Sequence, residues 1–177
     1  MIGMHSVTGL EIGNITLRDG ARWHVHPVWC ENVHIHDIHV FAPREHAGHP
    51  LGGNDGIDPD SCRNVTMEDV WIDTGDDAIS IKSVGPGPCD DVQIRRATLI
   101  SRNFAVGEHT TGGITNILLE DSRIGDDQGS AAWGIKFKVP GTGVVENITL
   151  RRLQLGRIVA KTYVSHASLL RSTGQSC

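Results

Sequence analysis

Aromatic residues are scarce in this 177-residue chain, at 5% of positions. Any core must then be assembled from Val, Ile and Leu, and 21 glycines supply many tight turns. That balance favours an all-β or solenoid chain over a helical bundle. Clustered Lys and Arg are also missing, and the formal charge is -5. No surface tracks phosphates, so a nucleic-acid partner is not expected. No run of eighteen apolar residues exists, which argues against a membrane-spanning helix. The opening MIGMHSVTG has neither the basic nor the apolar stretch of an export signal. Because the chain begins abruptly inside a repeat, the expectation is a fragment or a shortened gene product. Its length suits one domain. Ten histidines protonate as the pH falls toward 5, carrying the net charge toward zero or above. This suits an acidic substrate in an acidic medium, although exposed histidines on strands are an equally plain explanation.

What is present is a repeat: two apolar residues at i and i+2, then two more at i+5 and i+7. Six copies open at Leu10, Val33, Val65, Val92, Ile117 and Ile148, with separations of 23, 32, 27, 25 and 31 residues. Each copy reads as a short strand, a two-residue polar corner and a second short strand, a pattern that no helix satisfies. The residue before the anchor is Asn32, Asn64, Asp91, Asn116 or Asn147 in five copies and Gly9 in the first. These residue types tolerate the left-handed backbone of a sharp corner, and stacked Asn side chains can hydrogen-bond along the solenoid axis. The expected fold is therefore all-β: a single-stranded right-handed parallel β-helix of about six coils, spanning residues 1–159. From Ala160 the coil pattern is lost, and residues 160–177 are expected to form a tail or cap.

Cys30, Cys62 and Cys89 each lie two residues before the corner and should form a column. A disulfide is permitted there by distance, and buried thiols are the plainer reading. A third strand per coil is read in WHVHPV, DGID, DDAISIK, FAVGEH and GIKFK. Stacking these strands on one face would bring residues distant in sequence together in a cleft.

That face carries the chemistry. Asp55 stands two residues before Ile57 and Asp77 two before Ile79, so a 22-residue coil sets them at matching positions on adjacent turns, with Asp76 alongside. Three neighbouring carboxylates repel, so at least one should keep its proton near neutral pH. One protonated and one ionised carboxyl are what acid/base hydrolysis of a glycosidic bond needs. A solvated or calcium-binding acidic loop is the alternative. Strict alternation would turn Asp55 and Asp77 inward, so the reading requires both to stand before the pleat begins.

GNDGIDPDS followed by GDDAISIKS resembles the paired aspartate motifs of the polygalacturonases, glycoside hydrolase family 28, and WHVHPVWCENVHIHDIHV resembles their upstream coil. The likeness covers roughly residues 7–156. It implies a metal-free, cofactor-free inverting hydrolysis of α-1,4-galacturonosyl linkages in pectin, an acidic polysaccharide. By the same resemblance Asp76 is the general acid, Asp55 and Asp77 hold the attacking water, and the setting is extracellular. Where the family has Gly-His-Gly this chain has Ser101, Arg102 and Asn103. The family's Arg-Ile-Lys aligns with Gly134, Ile135 and Lys136, so the lysine remains and the arginine is lost. Ile135 and Phe137 have inward parity, so Lys136 and Lys138 could face a substrate carboxylate. Asp58, Arg102 and His109 complete the candidate substrate-binding set.

Alternation places His24, His26, His34, His36 and His39 on the non-core side of their strands, so no metal site is expected. Three Asn-x-Thr sequons, at Asn14, Asn64 and Asn147, are explained in two cases by the corner column. An uncovered solenoid end would expose core and strand edges and favour association. Two further readings remain: a β-helix that binds polysaccharide without cleaving it, and a hydrolase acting on rhamnogalacturonan or another polysaccharide.

Overall fold

The computed structural model describes residues 1–47, 49–125 and 134–156. The expected segment 160–177 lies outside them. Among the described residues every regular element is a strand, and the pairings are parallel except for one small hairpin, Glu45–His46 with His49–Pro50. No described helix is long and apolar enough to cross a membrane.

The six anchors stack in register. Leu10 pairs with Val33, Val33 with Val65, Val65 with Val92, Val92 with Ile117 and Ile117 with Ile148. The chain is thus a parallel β-helix, and the six copies bound about five turns of it rather than six complete ones. The repeat positions point inward: Val33, Ile35, Ile38 and Val40 are buried, as are their counterparts on the next three turns, among which Ser122 is the one polar member. In the first copy, Leu10, Ile12, Ile15 and Leu17 are only partly buried, since no coil covers that side of them among the described residues.

Two columns of left-handed residues make the corners. The one before each anchor holds Asn32, Asn64, Asp91, Asn116 and Asn147 at φ between 51° and 56°. Asn64 Nδ2 donates to Asn32 Oδ1 at 2.6 Å and Asn147 Nδ2 to Asn116 Oδ1 at 3.2 Å. Asp91 interrupts the ladder, and Asn116 donates instead to Asp90. The second column stands four residues after each anchor: Asn14, Asp37, Asp69, Arg96, Asp121 and Arg152 all have positive φ. Arginine gains nothing intrinsic from that backbone. Here Arg96 Nε donates to Asp69 at 2.8 Å and Arg152 Nε to Asp121 at 2.6 Å, so each corner arginine is held by the acid of the preceding turn. All three sequon asparagines are therefore corner residues, one more than the first column alone explains.

Cys30, Cys62 and Cys89 are buried free thiols in one column, and the Cys30 amide donates to Cys62 Sγ at 3.4 Å. Burial pushes the Cys62 thiol up to about 12, which leaves it inert.

The third strands form the cleft face. Val25–Val28, Ile79–Ser83, Asn103–Thr110 and Gly134–Lys138 succeed one another, and an unforeseen strand, Ile2–His5, pairs with the first. DGID is not a full strand: only Ile57 and Asp60 bridge to Val25 and Val28 on one side and to Ile79 and Lys82 on the other.

Candidate active site

The backbone fixes where the acids stand. Gly56 N donates to Asp77 O at 2.9 Å and Ile57 N to Ala78 O at 3.0 Å, so Asp55 and Asp77 occupy equivalent places on neighbouring turns. Both precede the first paired residues of their strands, Ile57 and Ile79, as the reading required. Their side chains meet residues of the outward face. Lys82 Nζ reaches Asp55 Oδ2 at 3.4 Å and also bonds Asp58. Lys136 Nζ stands 2.8 Å from Asp77 Oδ2, and Asn103 Nδ2 donates to Asp77 Oδ1 at 2.5 Å.

Burial separates the acids into two kinds. Asp55, Asp58 and Asp77 are 5%, 0% and 3% exposed. The Asp76 side chain retains 24% exposure, so it is the carboxyl of this group that a solvent-borne substrate can reach. Asp76 Oδ2 accepts a 2.6 Å hydrogen bond from Gly53 N, and Arg102 Nη1 lies 3.8 Å from its other oxygen.

Protonation follows burial. Burial pushes Asp77 up to about 6, against the charge and hydrogen bond of Lys136 and with a smaller contribution from Asp55. Asp55 is raised by burial and by Asp76, and lowered in part by Lys82. Burial and then the charge of Asp55 hold Asp58 well above the ordinary carboxylate range despite Lys82. Desolvation is the first cause for each, where sequence spacing alone had pointed to repulsion between like charges.

Several supporting residues escaped the sequence reading. Lys82 is 3% exposed and sits 3.7 Å from the ring centroid of Trp23, which covers it. Its outward parity in the GDDAISIKS segment was visible; its partners were not. His24, expected on an open face, is instead 1% exposed. Its Nε2 accepts from Gly20 N at 3.0 Å, so Nδ1 carries the proton and donates to Asp55 O at 2.8 Å. The ring therefore pins the turn that carries Asp55. Asn54 Nδ2 likewise donates to Pro43 O at 2.9 Å and anchors the loop that delivers Gly53 to Asp76.

The far end of the cleft is set by Lys136 and Lys138. Their neighbours Ile135 and Phe137 pack on the core, which confirms the outward parity of both lysines. Glu108 takes them both: Lys136 Nζ is 2.6 Å from Glu108 Oε1 and Lys138 Nζ 3.2 Å from Oε2. Sequence reasoning missed Glu108 because it lies within an irregularity between Val106 and Thr110 that shifts the register. His109 is exposed and makes no hydrogen bond or ion pair with the acid cluster, so the structure does not bring it into the site. No group of His, Cys, Asp and Glu among the described residues is arranged to hold a metal ion.

Comparison with known proteins gives this arrangement a setting. The chain is 33% identical to a probable polygalacturonase of Vitis vinifera over 174 residues, covering 89% of this chain and 34% of that protein. It is 28% identical over 96 residues to a polygalacturonase of Ralstonia nicotianae, covering 53% of this chain and 18% of that protein. The chain thus spans about a third or less of the length of these curated relatives. Its fold is similar to that of a hyperthermoactive exopolygalacturonase from Thermotoga maritima, with a TM-score of 0.62 and 22% identity over 85% of this chain and 36% of that one. It is also similar to a polygalacturonase from Erwinia carotovora, with a TM-score of 0.67 and 18% identity over 93% of this chain and 44% of that one. At such identities the structural likeness speaks for the fold alone. The family described as "Glycosyl hydrolases family 28" matches residues 1–166, and the chain belongs to it.

Proposed function

We propose that this chain carries the catalytic centre of a pectin-directed glycoside hydrolase that cleaves α-1,4-galacturonosyl linkages with inversion, without metal or cofactor. Asp76 gives its proton to the glycosidic oxygen as the bond to the anomeric carbon breaks. Asp55 and Asp77 hold the water that attacks from the opposite side and take up its proton. Asp77, pushed up to about 6 by burial, becomes ionised and able to accept that proton as the pH rises through this value, so water activation should strengthen between about pH 5 and 7. The observation that carries this reading is the side-by-side placement of Asp55 and Asp77 on adjacent turns, with Asp76 the more accessible carboxyl beside them. Family membership supports it. Lys136, Lys138 and Arg102 would contact the polysaccharide, whereas Asp58, expected among the substrate-binding residues, is fully buried against Lys82 and would act only through it. An extracellular setting follows from that substrate.

Asp76→Asn should lower the release of reducing ends from polygalacturonate by about a hundredfold or more while leaving the thermal midpoint near the parent's. Equal rates for the two chains would overturn the acid assignment. A second reading, a β-helix that binds pectin without turnover, is favoured by Ser101, Arg102 and Asn103 standing in place of Gly-His-Gly. Pectin retained in a binding assay, with no reducing ends from the parent chain, would select it. Release from rhamnogalacturonan in place of polygalacturonate would point to the related hydrolase.

A further inference from the structure

The lysines at the end of the cleft are already spoken for. Lys136 lies between two carboxylates, Asp77 at 2.8 Å and Glu108 at 2.6 Å, and its side chain is only 14% exposed. Lys138 shares Glu108 at 3.2 Å. Two ammonium groups therefore face two carboxylates of the protein itself.

Glu108 is fixed in this position by its backbone. Gly107 has φ +123° and lies so close to the next turn that an added Cβ would come 1.5 Å from Lys138 O. Glu108 follows with a positive φ of 57°, which breaks the strand alternation and carries its side chain to the lysine face. Burial alone would raise its carboxyl, but the hydrogen bonds and charges of Lys136 and Lys138 outweigh burial and keep it ionised.

We propose that Glu108 is a specificity-determining residue: it occupies the cationic end of the cleft so that this end selects a uronosyl unit whose carboxyl is uncharged, as in a methyl ester, over a free uronate. The inference rests on the hydrolase reading for the identity of the sugar. A free carboxylate could reach the lysines only by displacing Glu108, which would leave that half-buried anion unpaired beside the incoming one. It would also approach Asp77, the other carboxylate on Lys136. A methyl ester brings no charge, and its carbonyl oxygen can still accept a hydrogen bond from a lysine without breaking the ion pairs. Discrimination of this kind comes from a built-in repulsive group as much as from an attractive one.

The test compares the parent chain with Glu108→Gln and Glu108→Ser on unesterified polygalacturonate and on the same polymer highly methyl-esterified. Retardation in affinity gels and reducing-end release are both measured. The parent should favour the ester by about tenfold, and both variants should lose most of that preference by gaining on the free acid. A parent that favours the free acid overturns the proposal, as does a preference unmoved in variants with native melting behaviour. Absence of retardation by either polymer overturns it too. If a variant fails to fold, the parent's own preference decides. Glu108-dependent retardation without reducing-end release from either polymer would sink the hydrolase reading and leave the selection by Glu108 standing.

Discussion

Lys136 Nζ lies 2.8 Å from Asp77 Oδ2 and ties the strand at the end of the cleft to the turn that bears the acid cluster. Burial nonetheless outweighs this partner and pushes Asp77 up to about 6, from 3.8 in an exposed chain. The native state thus holds the proton more tightly than the unfolded one. Stability from this group is fully present below the unfolded value and is lost as the pH rises through about 6. At 1.36 kcal/mol per unit the loss is about 3 kcal/mol. Asp77→Asn should therefore raise the thermal midpoint more at pH 7 than at pH 4, because Lys136 keeps Glu108 as a partner. Melting curves at stepped pH check this, and identical pH dependence in the two chains would contradict it.

Lys82 makes a sharper demand. It is 3% exposed, bonds Asp58, reaches Asp55 at 3.4 Å and packs on Trp23. Lys82→Met would leave two buried carboxyls as neighbours without their cation, a change that typically costs about 3–5 kcal/mol. Protonation relieves part of this, so the loss should be smaller at pH 5 than at pH 7.5. Adding Asp58→Asn should restore part of it. Urea unfolding of the single and double variants at both pH values provides the measurement.

The residues that were legible in the sequence are those whose placement is local. Val33, Val65 and Val92 land in register because period-two strands and Asn or Asp corners act within a few residues of each anchor. Asp55 and Asp77 could be set side by side for the same reason, since one coil separates them. What stayed hidden depends on irregular segments. Trp23 and His24 stand just before the strand Val25–Val28 rather than in it, and close over Lys82 and the Asp55 turn, so the burial that governs Asp55 and Asp77 could not be read from alternation. Glu108 reaches Lys136 only because a glycine bulge breaks the alternation that otherwise predicts where side chains face.

That bulge can be tested by itself. Gly107 combines a φ of +123° with an approach that would place a Cβ 1.5 Å from the Lys138 carbonyl oxygen, and backbone cannot step aside as a long side chain can. Gly107→Ala must therefore strain its own dihedral and push the strand Gly134–Lys138 away from Asn103–Thr110. The expected loss is about 2 kcal/mol or more, read from denaturant unfolding. Gly87 is a matched control, since an added Cβ there meets nothing within 4 Å. Gly87→Ala should stay within about 0.5 kcal/mol of the parent. The displacement should also separate Lys138 from Glu108, so Gly107→Ala should lose the ester preference together with stability, whereas Gly87→Ala should keep both. Equal stability of the two alanine variants would mean that the close approach of Gly107 to Lys138 does not constrain the cleft.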